Sequence, residues 1–240
     1  MCVNCDNEGI GRRDFMRFAA AGAVALGVGG ISRQALADEG APTALSPDQA
    51  LEALKSGNAR FVSNPKLCTV DLAKSRESVA GHQAPWATIV SCADSRVPPE
   101  LVFGGQGVGE LFIARDAGNL IDIETLGTIE YGAAVLGSPL VVILAHPACG
   151  AVKAACDVVT KNATYPGVIG RMIQPIVPAA LAVRDHPGDF VDNTARESAK
   201  RTATQLPYVS RLVGDLVGTG KVKIVAAIYD LETGAVTYIE

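Results

Sequence analysis

A chain of 240 residues with 48% hydrophobic but only 5% aromatic residues has room for one domain of ordinary size, with a core built from Ala, Val, Leu and Ile. Its net charge of -4 gives no electrostatic footprint for nucleic acid, and no run of like charge or internal repeat marks a tail or an array. The six cysteines, Cys2, Cys5, Cys68, Cys92, Cys149 and Cys156, are too sparse for a disulfide scaffold in a chain this long.

The first segment reads as an address. "GRRDFMRF" (11–18) is followed by the apolar "AAAGAVALGVGGI" (19–31) and by the small-x-small site Ala35-Leu36-Ala37. That is the order of an export signal, and the apolar run is shorter than the roughly 20 residues a membrane-spanning helix needs. Arg12 and Arg13, with Phe15 two positions on, resemble the twin-arginine signal. This likeness implies passage of an already folded, metal-loaded chain through the twin-arginine export machinery to a periplasmic or extracellular location. Residues 1–37, with Cys2 and Cys5, are expected to be removed after cleavage near Ala37, leaving 38–240 as a single domain.

Within that domain, "SPDQALEALKSGNARFV" (46–62) predicts a helix capped by Ser46, with Pro47 in the first turn and Gln49 completing a capping box. "WATIVSC" (86–92) predicts a short buried strand, "ELFIARDAG" (110–118) a second, and "PLVVILAH" (139–146) a third. Between the last two, "ETLGTIEYGAAVLG" (124–137) predicts a helix ended by Gly137, and "GAVKAACDVV" (150–159) predicts the next. More helix is expected between 167 and 218, interrupted around Pro187 and near Pro207. "KVKIVAAIYD" (221–230) and "AVTYIE" (235–240) predict a hairpin across "LETG". Strands alternating with helices define an α/β class: a mostly parallel central sheet with helices on both faces and a C-terminal antiparallel edge strand.

In open sheets of this kind, sites form beyond the carboxyl ends of strands. "SCADSR" and "AHPACG" both fall there. Cys92 closes one strand, His146 closes another, and Cys149 follows at His-x-x-Cys on the turn into a helix. Taken singly, Cys92 reads as a buried thiol and His146 as a hydrogen-bonded strand-end histidine. If the two strands are neighbours, the three side chains converge, and two thiolates and an imidazole are a zinc set with a fourth position open, as catalytic zinc requires. Asp94 and Arg96 occupy alternate positions after Cys92. They read either as support for what the metal binds, with Arg96 clamping Asp94 through two bonds, or as a plain ion pair stapling the turn. Cys156 reads as core, Cys68 as a free thiol or a disulfide partner, and His82 and His186 as solvated loop residues.

The stretches "CADSRVPPE", "ELFIARDAGN", "IEYGAAVLG", "AHPACGAV" and "KVKIVAAIYDLETGAV" resemble the beta-class carbonic anhydrases, in the family's order, from about residue 46 to the C-terminus. The resemblance implies one Zn²⁺ per subunit held by Cys92, His146 and Cys149, and Asp94 with Arg96 as a catalytic dyad. It implies reversible hydration of carbon dioxide to bicarbonate and a proton. Asp94 would be a fourth ligand in a closed state that low pH favours. It also implies a homodimer or higher even oligomer in which Gln83, in "GHQAP", lines the partner subunit's substrate pocket. The chain departs from the family at Ala145-His146-Pro147, where Gly-His-Ser or Gly-His-Thr is usual, and at Asp116, where Asn is usual; these departures bear on rate. Ile89 stands where a subset of the family has the tryptophan of an allosteric bicarbonate site, so that regulation is not expected.

Three other readings share the ligands. A dehydrogenase with zinc bound by two cysteines and a histidine needs a dinucleotide fingerprint, which "GGQGVGE" (104–110) does not complete. A hydrolase of carbonyl sulfide or carbon disulfide would use the same fold. An exported zinc-binding or storage protein would have no need of Asp94 and Arg96.

Overall fold

The computed structural model describes residues 41–64 and 72–239. The expected signal segment, Cys2, Cys5 and Cys68 lie outside them. Helix α1 (Pro47–Ser63) starts as its sequence predicts: Ser46 Oγ accepts from the Gln49 amide at 3.2 Å, and Gln49 Oε1 accepts from the Ser46 amide at 2.8 Å. Helix α2 (Leu72–Val79) follows, then strand β1 (Ala87–Cys92), the single-turn helix α3 (Pro99–Val102) and strand β2 (Leu111–Asp116). Helix α4 (Ile123–Glu130) runs on through a π-helical turn at Tyr131–Val135 and stops where Gly137 takes φ +71°. Strand β3 (Leu140–Ala145) and helix α5 (Gly150–Lys161) come next. They are followed by α6 (Ile169–Ile173), α7 (Val177–Val183), the long α8 (Phe190–Val209) and α9 (Arg211–Gly218). Strands β4 (Lys223–Tyr229) and β5 (Val236–Ile239) close the fold.

The sheet order is β2-β1-β3-β4-β5, parallel throughout except for the antiparallel β4–β5 hairpin, as the pattern of elements predicts. β1 and β3 are buried along their whole lengths, which is why they read as unbroken apolar runs rather than alternating ones. One face of the sheet packs on α5, α7 and α8 through Val90, Val141, Ile143, Val152 and Ala199. The other packs on α1 through Ile89, Val142, Leu144 and Leu54. Fully buried aliphatic side chains such as Ile89 and Leu144 each contribute about 1.5–3 kcal/mol. Buried Asn58 ties α1 down: its amide donates to Val102 O at 2.9 Å and Gly234 O at 2.8 Å, and its oxygen accepts from the Val236 amide at 2.8 Å.

One boundary differs from expectation, and the break expected near Pro207 is placed by its neighbour. β2 ends at Asp116, because Gly118 and Asn119 turn the chain through φ +97° and +47°. Pro207 does not break its helix; it lies inside α8, three residues short of Ser210. There the missing amide removes one bond from the last turn only, and the break comes at Ser210, whose hydroxyl caps α9 by accepting from the Val213 amide at 3.1 Å. The interruption near Pro187 is present, between α7 and α8. Neither α2 nor α3 is legible from apolar periodicity, since one is mostly polar and the other a single turn.

Candidate metal centre

The register explains why three ligands can meet. Ser91 on β1 pairs with Leu144 on β3, so the carboxyl ends of the two central strands lie side by side. Cys92 ends one and His146 leaves the other. Cys149 then sits at the N-cap of α5, φ −71° and ψ 124°, with its side chain at the positive end of a helix dipole. The Sγ atoms of Cys92 and Cys149 are 3.9 Å apart. They and a ring nitrogen of His146 all lie within 4.8 Å of one another, and all three residues are buried.

The donor set fits a tetrahedral zinc. Two sulfurs at Zn–S distances of about 2.3 Å would stand about 3.8 Å apart. His146 Nδ1 lies 2.9 Å from the Pro147 carbonyl, which can accept only if Nδ1 carries the proton. Nε2 is then an acceptor, and it is buried without any hydrogen-bond partner. A buried orphan nitrogen facing two thiols is the signature of a ligand awaiting a cation. The thiols are already tuned for this. Cys92 is drawn well below the ordinary thiol range, first by its contact with Cys149 and further by the Gly118 amide, which donates to its sulfur at 3.3 Å. The same contact and burial push Cys149 up. One negative charge is thus shared between the two sulfurs, and a cation would stabilise the second.

Asp94 and Arg96 form the clamp their spacing suggests. Arg96 Nε donates to Asp94 Oδ1 at 2.9 Å and Nη2 donates to Oδ2 at 2.7 Å, while the Arg96 amide donates to Oδ1 at 2.9 Å. The guanidinium bonds hold the Asp94 carboxyl far below the usual carboxylate range. Oδ2 is 3.8 Å from His146 Nε2, so the carboxylate borders the metal group without joining it. The ligating arrangement of Asp94 is therefore not the one described. A cleft of about 690 Å³ reaches Arg96, Pro147 and Ala148 from solvent. A second cavity, about 360 Å³ between α4, α7 and α8, carries neither a ligand nor the dyad.

The departures from the family pattern are absorbed locally. Ala145 is packed in the core. Pro147 contributes the carbonyl that fixes the His146 tautomer, and beside it the Ala148 amide donates to Asp192 Oδ1 on α8 at 3.2 Å while Ala148 takes φ +53°. Asp116 braces the turn after β2: Oδ1 accepts from the Leu120 amide at 2.6 Å, and Oδ2 from Thr125 Oγ1 at 3.2 Å. Burial pushes its carboxyl up. Gly118 is required by its φ of +97° and because a Cβ would meet Ile176 Cδ1 and Ala151 Cβ at 3.0 and 3.1 Å. Cys156 is core, contacting Thr194 Oγ1.

Gln83 is the exception. It precedes β1, at the amino end of the sheet, whereas the metal group lies at the carboxyl end, and a six-residue strand spans about 20 Å. Within one chain it is half-buried and does not reach the site. Two residues that touch the site's backbone, Arg115 and Asp192, carry no role in the sequence reading. Arg115 lies inside a quoted motif but has no partner legible from spacing, and Asp192 lies 44 residues from the amide it accepts.

A mostly parallel α/β sheet with two cysteines and a histidine converging beyond its strand ends defines a class of site that could hold a metal ion. The comparisons narrow it. The sequence profile described as carbonic anhydrase matches residues 87–236. A carbonic anhydrase of Mycolicibacterium smegmatis is 36% identical over 191 residues, covering 80% of this chain and 92% of that protein. Carbonic anhydrase 2 of Mycobacterium tuberculosis is 35% identical over 189 residues, covering 79% and 91%. Among solved structures, a tetrameric beta-carbonic anhydrase of Sordaria macrospora superposes with a TM-score of 0.61 at 22% identity, covering 80% of this chain and 97% of that one. The chain belongs to the carbonic anhydrase family, and its fold is that of the beta class.

Proposed function

We propose that this protein is a zinc lyase that reversibly hydrates carbon dioxide to bicarbonate and a proton. The observation that carries the reading is the buried, unpartnered Nε2 of His146 facing two thiols beside a clamped carboxylate. Zinc would be held by Cys92, His146 and Cys149, and when bound it supplies a Lewis acid that brings the pKa of water towards about 7 in favourable sites. The chain's own residues do the rest. Asp94, kept ionised by Arg96, accepts a hydrogen from the attacking water and so orients its lone pair. Arg96 fixes both carboxylate oxygens, which prevents Asp94 from turning into the metal group. The buried strand ends exclude bulk water around an uncharged substrate. Hydrolysis of carbonyl sulfide or carbon disulfide is not favoured by any feature of the described residues. The test is stopped-flow hydration of carbon dioxide by the purified chain, with zinc quantified in the same sample; zinc-loaded protein without hydration activity would refute the assignment.

The reading extends to an oligomer at Gln83. With this residue at the far end of its own sheet, only a second subunit could bring it to a metal centre. Mixing Gln83→Ala and Asp94→Asn chains should therefore restore activity, since one hybrid site carries both native residues. Activity no higher than that of the separate homo-oligomers, with subunit exchange verified, would show that each chain is self-sufficient.

Export is proposed from Arg12 and Arg13. Changing both to Lys keeps the charge and removes the guanidinium pair, so processed protein outside the cytoplasm should fall to near background. Undiminished appearance there would point to the general secretory route.

A further inference from the structure

We propose that Arg115 is a positioning residue that sets ligand and dyad together, by holding the backbone of residues 92–94 from the end of β2. Its Nε donates to Cys92 O at 3.0 Å and its Nη2 donates to Asp94 O at 2.7 Å. Those two carbonyls belong to a metal ligand and to the acid of the dyad. They lie on the same side of an extended chain, because alternate residues repeat their orientation. One planar guanidinium spans both in a fixed fork.

The segment needs such a hold. β1 ends at Cys92, and beyond it the only main-chain tie to β2 is the bond from the Ala93 amide to Asp116 O at 2.7 Å. Arg115 and Asp116 are neighbours on β2, so one strand end grips residues 92, 93 and 94 in succession. Arg115 is exposed, and no ion pair among the described residues engages it. Its removal therefore opens no cavity. The expected effect is on where Cys92 Sγ and the Asp94 carboxylate lie relative to His146 and Cys149, not on whether the chain folds.

The inference rests on the metal reading above, and its test is read from cobalt(II), which reports ligand geometry in its visible bands independently of hydration activity. Arg115→Met should bind one cobalt ion with shifted, altered bands and release metal to a chelator about tenfold or more faster than the native chain, the lower range for outer-sphere partners of a metal site. With zinc, kcat should fall while KM stays near native, because substrate contacts are untouched. Arg115→Lys should fall between, since an ammonium bonds one carbonyl well but cannot span two; if the Met variant fails to fold, the Lys variant decides alone. Bands and release rates within about twofold of native in the folded variants would overturn the proposal, as would a lowered melting temperature with unchanged bands, because support of that kind would be merely structural. Failure of the native chain to bind cobalt at all would overturn it together with the metal reading. Cobalt binding without carbon dioxide hydration would sink the proposed reaction and leave the Arg115 assignment standing.

Discussion

Cys92→Ser, His146→Ala and Cys149→Ser should each purify with little zinc and lose activity by more than about a hundredfold, beyond the range seen when only a ligand's supporting partner is removed. Three protein ligands leave no redundancy, and each loss also strands what remains. Removing His146 deletes the only nitrogen in the group. Removing Cys149 takes away the contact that draws Cys92 down, so the surviving thiol reverts towards the ordinary range and competes less well for a cation. Removing Cys92 also leaves the Gly118 amide without the sulfur it donates to. Metal analysis decides this directly: near-stoichiometric zinc in any variant removes that residue from the ligand set. Serine at either cysteine should preserve the fold, because both positions lie at element ends rather than in mid-strand.

The three converging side chains were legible in the sequence because their signals are local. Cys92 and His146 each close an apolar run, and His-x-x-Cys places Cys149 on the turn into a helix. Their meeting depends on strand order, which local pattern does not contain. β2 falls between β1 and β3 in the chain but takes the sheet edge, leaving β1 and β3 adjacent. Long-range pairings of this kind are set by which faces must be buried, and β1 and β3 are the two strands buried throughout. The same limit hid Asp192, whose partner is far off in sequence, and Arg115, whose partners are backbone carbonyls that any residue could supply. The helix break expected near Pro207 falls three residues on for a local reason: a proline in the last turn of a helix removes little, and a good N-cap at Ser210 decides the boundary. Asp116 departs from the usual Asn, but its partners, the Leu120 amide and the Thr125 hydroxyl, could not be read from spacing because they depend on how the turn after β2 folds.

Arg96→Ala should keep its zinc and lose activity by about a hundredfold, the scale on which misplacing a reacting group by about 1 Å costs rate. The clamp touches no ligand, so the metal group survives, but three donors to the Asp94 carboxylate become one, the amide of residue 96. The pH dependence follows from the same bonds. With Arg96 in place, Asp94 stays ionised across the working range, so any acid limb in the native profile must arise elsewhere. Clamped, Asp94 Oδ2 already lies 3.8 Å from His146 Nε2, so once released the carboxylate can compete with hydroxide for the space among the three ligands. Protons consume hydroxide and leave the carboxylate unaffected until its own range near about 4, so falling pH favours the blocked arrangement. Native activity should therefore rise with pH to a plateau. Arg96→Lys should shift that rise to higher pH, because a point donor cannot hold both carboxylate oxygens and the carboxylate is freer to compete. The measurement is a pH–rate profile of the native, Lys and Ala chains with zinc assayed at each end. A midpoint unchanged in the Lys variant, or full activity in the Ala variant, would reduce Asp94 and Arg96 to a staple of the turn.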